Sequence, residues 1–252
     1  MVMNMRSISR NNKEFYENFY SVVANPLDLY EIYFRVTSVK RLTSIFSSLK
    51  EKKILDIGFG SGGMLSIFDS SCEIYGIDIS KSSKERFSKK SNKFKKTVLT
   101  VRDLNLKPEM DFPENFFDII IMSHILEHLK NYKKIIEEAY KSLKKGGIAF
   151  IILPIDQREG TELHEDVSAD KILTEIERVG FSTIYSERNL SIPRLPLAYV
   201  SDKNATKLIV SNISLVLNFM LSRMGYDVLK VLDYFFAGMG IEPRQQIVMV
   251  KK

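Results

Sequence analysis

At 252 residues, 44% of them hydrophobic, the chain can bury one large core and requires no second domain. Its single cysteine, Cys72, excludes an internal disulfide or a cysteine-built metal site and reads as a small buried apolar group in a protein of the reducing cytoplasm. The net charge of +6 admits an anionic partner, but the densest basic run, Lys81 to Lys96 with Glu85 as its one acid, interleaves only Phe87 and Phe94, so a solvated helix face is preferred to nucleic acid.

In chain order, Met1 to Asn12 is polar and basic without an apolar h-region, which excludes a signal peptide and predicts disorder. Phe15, Tyr16, Phe19, Tyr20 and Val23 recur at helical spacing, and Asn25-Pro26 caps a second helix running to about Ser48. Residues 1–48 are therefore expected to form a helical extension, placed as a lid. A core follows over 49–189. Ile54 to Leu65, I-L-D-I-G-F-G-S-G-G-M-L, joins a buried strand to a loop in which Gly58, Gly60 and Gly62 permit positive φ, with Gly63 at the start of the next helix. Tyr75-Gly76-Ile77-Asp78 closes a second strand with an acid, and Val98 to Val101, followed by Arg102-Asp103-Leu104, forms a third.

Phe117 to Met122 reads as the fourth strand, with Ser123 to Leu129 as the loop and short helix after it. A helix from about Tyr132 is expected to close at Lys144 to Gly147, before a fifth strand over Ile148 to Leu153 that ends at Pro154. Gly180-Phe181 precedes a sixth strand, and Gln246 to Val250 forms a seventh within 243–252. This alternation predicts an α/β fold with a doubly wound, mostly parallel seven-stranded sheet and helices on both faces. Residues 190–242 interrupt it as a helical cap insertion. Within the cap, Leu208 to Ser222 carries no charge but is too short for a bilayer, which needs about 20 apolar residues. Together with Tyr234, Phe235 and Phe236 it suits a core helix, a dimer surface or an apolar substrate pocket, and peripheral membrane contact is also open.

Gly58, Gly60 and Gly63 satisfy the dinucleotide pattern G-x-G-x-x-G, so the loop alone fits a nicotinamide enzyme too. Asp56 changes the chemistry. An acid at the loop opposes a pyrophosphate and favours a cationic ligand, while Asp78 suits ribose hydroxyls in either case. The D-x-G-x-G-x-G run, with Asp78, Asp103 and the later strands in order, resembles the class I S-adenosylmethionine-dependent methyltransferases over roughly Leu49 to Lys252, interrupted between Asn189 and Pro243. Lys144 to Gly147 matches that family's L-K-P-G-G segment, with Lys145 in place of proline. The resemblance implies that Asp56, Gly58, Gly60, Gly62, Asp78, Ile79, Asp103, Leu104 and Ser123 hold S-adenosylmethionine, Asp78 at the ribose and Asp103 at the adenine amino group.

The three histidines, His124, His128 and His164, all follow strands four and five, at the end of the sheet where open α/β folds bind ligands. If Ser123 caps the short helix, His124 and His128 lie on one face at i and i+4, beside Glu127. Three readings stay open: a structural or orienting role, a general base, with His124 placed best, and a His-Glu-His-His metal site. The last follows a resemblance to the E-x-x-E-H segment of some metal-assisted methyltransferases, in which His124 replaces the first glutamate, so a divalent metal is not favoured. His164 with Glu165 and Asp166, and Asp156, can reach in after strand five. The expected function is methyl transfer to a small or lipid-like acceptor at oxygen beneath the cap, in a cytoplasmic protein that can be a homodimer. The alternatives are a nicotinamide-dependent oxidoreductase, a noncatalytic cofactor- or partner-binding module and, as a minor variant, RNA methylation.

Overall fold

The computed structural model describes residues 13, 16–17, 36, 39–40, 43, 48–155, 168–189, 191, 220 and 224–252. The sheet is built of β1 (Lys53–Ile57), β2 (Glu73–Asp78), β3 (Lys96–Val101), β4 (Phe117–Ser123), β5 (Leu143–Pro154), β6 (Ser182–Asn189) and β7 (Gln245–Lys251). Their order is β3-β2-β1-β4-β5-β7-β6. The first five strands run parallel, and β7 enters antiparallel between β5 and β6. Four α-helices lie among the described residues: α1 (Lys81–Ser91), α2 (Tyr132–Ser142), α3 (Ala169–Val179) and α4 (Tyr226–Gly238). The doubly wound, mostly parallel fold is the one the alternation predicts.

Alternate side chains of each strand feed two separate cores, one on each face of the sheet. Leu55, Ile57, Ile120, Met122 and Ile151 pack with Ile135 and Ile136 of α2 and Ile172 and Ile176 of α3. Ile54, Ile119, Ile121, Phe150 and Ile152 pack on the other face with Phe87 of α1, Phe94 and Val39. Burial on both faces explains why β1, β4 and β5 read as continuous apolar runs instead of alternating ones. Chain connections run outward from β1 toward β3 and from β4 toward β5, so direction reverses between β1 and β4. A crevice opens there at the carboxyl ends of the strands.

Some local expectations are corrected. The helix from Tyr132 ends at Ser142, because Leu143 turns extended and pairs with Phe117, burying its side chain fully. Lys144 to Gly147 is thus the irregular opening of β5: the register shifts between Phe117 and Ile119, and Gly146 takes φ +76° with its amide donating to the Lys252 carbonyl at 3.0 Å. Beyond Gly63 the chain makes only a 3₁₀ turn, Met64–Ile67, since Phe68 leaves extended and buries its ring. Ser123 is not a helix cap. It ends β4, paired with Ile152; the next helical turn, Leu126–His128, opens from Ile125 without a side-chain cap.

Phe87 and Phe94 are buried beneath the basic run as expected, and Cys72 is a free, buried thiol that donates to the Leu49 carbonyl at 2.9 Å. Tyr234 and Phe235 of α4 are exposed, so neither serves as core. His164, Glu165, Asp166 and Asp156 lie outside the described residues, as do 1–12 and, apart from Met220, 208–222. Among the described residues no helix is long and apolar enough to cross a membrane.

Candidate cofactor and active site

The crevice holds a pocket with a cavity volume of about 170 Å³. One wall comes from β1, β2 and β3. Gly58, at φ +79°, lines it, and its amide donates to the Ile77 carbonyl at 2.7 Å, drawing the loop over the end of β2. A Cβ there would sit 3.0 Å from Ile125 across the crevice. Gly62, at φ +75°, lies behind the loop, where a Cβ would fall 1.9 Å from the Phe87 ring. Glycine is required at both places by conformation and by space.

Two buried carboxyls stand in this wall with unequal support. Asp78 accepts from the Gly60 amide at 2.8 Å and from the Ser80 amide at 2.9 Å. Burial raises its pKa, and the Ser80 and Gly60 amides work against that rise. Asp56, by contrast, is 1% exposed, and neither of its oxygens has a hydrogen-bond partner. Burial, and then repulsion from Asp78, push its carboxyl up to about 8. An unpartnered buried polar group costs about 1–3 kcal/mol, more when charged, so the wall is built at a loss that a cationic ligand would offset. Asp56, Gly60 and Gly62 shape the loop from behind and do not line the pocket; Gly58, Asp78, Ile79, Asp103 and Leu104 do.

Asp103 accepts from the Asn105 amide at 2.9 Å in the turn after β3. Asn105, missed in the sequence, ties that turn to the other wall: its Nδ2 donates to the His128 carbonyl at 3.2 Å and its Oδ1 accepts from the Lys130 amide at 2.8 Å. The available sequence signal was an Asn two positions past the acid, the arrangement of a side-chain-capped turn.

The second wall follows β4. Ser123, His124, Ile125, His128 and Leu129 line it. His124 sits at φ +52°, sparsely populated for a residue with a Cβ, and its amide donates to the Ile152 carbonyl at 2.9 Å. That turn, rather than a shared helix face, brings both imidazoles to Glu127. Glu127 Oε1 lies 3.4 Å from His124 Nδ1 and 3.8 Å from His128 Nε2, while Oε2 is buried without a partner. Burial acts to raise the Glu127 carboxyl, but the His124 hydrogen bond and the charges of both histidines prevail and hold it below the usual glutamate value. On its far side His124 Nε2 stands 3.5 Å from Gln245 Oε1, and Gln245 donates to Asn189 Oδ1 at 2.7 Å. Sequence reading missed Gln245, which faces His124 only because β7 lies beside β5. Among the described residues no group of three or more histidine, cysteine or acidic side chains is arranged to hold a metal ion.

Residues 55–151 match the protein family described as "Methyltransferase domain". A curated relative, the ubiquinone biosynthesis O-methyltransferase of Pelagibacter ubique, is 35% identical over 131 residues, 50% of this chain and 52% of that protein. The chain spans little more than half the length of the curated relatives it matches. Among solved structures, a SAM-dependent methyltransferase from Archaeoglobus fulgidus superposes with a TM-score of 0.55 at 18% identity, covering 89% of this chain and 98% of that one. Phosphoethanolamine N-methyltransferase 2 of Haemonchus contortus, solved with S-adenosyl-L-methionine, superposes with a TM-score of 0.58 at 16% identity, covering 94% and 60%. At these identities the two structures bear on the fold alone.

Proposed function

This chain carries a domain of the class I S-adenosylmethionine-dependent methyltransferases, and from that premise we propose that it transfers a methyl group to a small or lipid-like acceptor, at oxygen. The observation that carries the reading is Asp56, buried without a partner beside Asp78 and under a glycine loop. A buried carboxyl in that place gains nothing from a pyrophosphate, whereas a ligand bearing an ammonium and a sulfonium would favour its ionised form. The pocket residues fit such a cofactor. Gly58 allows it against the backbone, Asp78 keeps lone pairs for ribose hydroxyls after accepting two amides, and Asp103 with Leu104 meets the adenine.

The bound cofactor supplies an electrophilic methyl group, and the chain has to align an acceptor and remove its proton. Alignment falls to the shape of the pocket between the two walls. Proton removal falls to the imidazoles after β4, the side chains there whose ordinary titration range is near neutrality. His124 Nδ1 lies 3.4 Å from the Glu127 carboxylate, which orients the ring. A base is needed for a hydroxyl acceptor, and this supports oxygen. The printed activity of the Pelagibacter relative, an O-methyltransferase, supports it as well.

Calorimetric titration of S-adenosylhomocysteine, in parallel with NADH, tests the cofactor. Micromolar binding of the first and none of the second is expected. Binding of NADH instead would return the loop to the oxidoreductase reading. A noncatalytic module is met by a screen of hydroxylated aromatic and lipid acceptors with labelled cofactor, in which acid-stable, base-stable label identifies an ether.

A further inference from the structure

Two neighbouring residues of the N-terminal segment grip opposite walls of the pocket. Tyr16 lines the pocket, and its hydroxyl lies 3.1 Å from His128 Nε2, with the two rings edge to face at 5.7 Å between centroids. Glu17 turns the other way, onto the start of α1. Its carboxylate accepts from the Lys81 amide at 2.6 Å, the Ser82 amide at 3.0 Å and the Ser80 hydroxyl at 3.1 Å. Burial opposes ionisation of Glu17, yet the donors at Ser82, Lys81 and Ser80 outweigh it and lower the pKa to about 2. A carboxylate on the free amides of a helix start is a charge-assisted anchor, aligned with the helix dipole. Ser80 extends the connection, because its amide donates to Asp78, the acid assigned to the ribose.

We infer that Tyr16 and Glu17 form a clasp over the bound cofactor: Tyr16 is a further wall residue that positions His128, and Glu17 pins it to the ribose side. The inference rests on the cofactor reading above. A ligand lying between Asp78 and His128 has both ends of its pocket tied together by one stretch of backbone, and it leaves when one end lets go. Glu17 stays charged throughout the physiological range, so its anchor on the start of α1 is not released by mild acid.

The test is stopped-flow displacement of bound S-adenosylhomocysteine from the full chain and from the Tyr16→Phe, Glu17→Gln and Lys13→Ala variants. Long-range ¹H–¹⁵N spectra of the histidine rings are recorded alongside. Tyr16→Phe keeps the ring and removes the hydroxyl alone; Lys13 is an exposed control. Loss of the charge-assisted Glu17 contact, or of the Tyr16 hydrogen bond, predicts about tenfold faster release from those two variants and the parental rate for the control. The His128 nitrogen resonances should also move in Tyr16→Phe, a response that loss of packing alone would not give. Parental release rates, or an unmoved His128, would overturn the clasp and leave the cofactor reading standing. Failure of the parent chain to bind S-adenosylhomocysteine would remove both.

Discussion

The two walls of the pocket are assembled by different means. The wall from β1 and β2 is local: Asp56, Gly58, Gly60 and Gly62 sit within seven consecutive residues, and Asp78 closes the next strand. The wall after β4 is tertiary, since His124, Glu127 and His128 become a working group through Gln245 on β7, Asn105 after β3 and Tyr16 from the N-terminal segment. In the first wall two buried carboxyls stand close together, and Asp56 has no hydrogen-bond partner. In the second, Glu127 faces two imidazoles. The contrast implies that one wall waits for a cation and the other is largely complete before any ligand arrives.

Changes to the local wall should have the larger effects. Gly62→Ala forces a methyl group to 1.9 Å from the Phe87 ring at φ +75°, and overpacking with left-handed strain should cost about 3 kcal/mol in urea denaturation. A loss under about 1 kcal/mol would mean that α1 moves aside cheaply. Asp78→Ala should weaken S-adenosylhomocysteine binding by about 100-fold, from hydrogen bonds to a charged acceptor and a loosened Gly60. Unchanged calorimetric affinity would remove Asp78 from the site.

Glu127→Gln probes the tertiary wall and should cost about 1–2 kcal/mol at pH 7. Because the native Glu127 carboxyl is held below its unfolded value of 4.5, its contribution is present above that pH and lost as pH falls through the lowered native value. Parent and variant stabilities should therefore converge in acid, as read by thermal melts across pH. Asp56→Asn should act in the opposite sense. Burial pushes the native Asp56 carboxyl up to about 8 against 3.8 unfolded, so its stabilising contribution is full below 3.8 and fades as pH rises through 8. The asparagine variant should melt at a higher temperature than the parent above pH 8, while binding S-adenosylhomocysteine more weakly. Lower stability at every pH would show that the two acids do not oppose folding.

The same division decides what could be read in the chain. The seven strands, their mostly parallel pairing and the helices on both faces follow from apolar runs and glycines adjacent in sequence, with shifts only at element ends. The irregular start of β5 was misread because Leu143 and Lys144 continue a helical pattern, while tertiary pairing with Phe117 prevails. The histidine geometry was misread for a related reason: at its positive φ the His124 amide donates a hydrogen bond to the Ile152 carbonyl, a contact between strands that sequence spacing does not report. Gln245 had no local signal at all, since its partner lies 121 positions away.

The antiparallel entry of β7 has a further consequence. Asn189 and Gln245 are register partners and share a side-chain hydrogen bond, so the chain leaves the sheet and returns to it at one doorway. A segment whose ends already touch adds closure entropy only logarithmically with its length. Residues 190–244 thereby start and end at one point of the sheet, so lengthening or shortening that segment should cost little in chain closure.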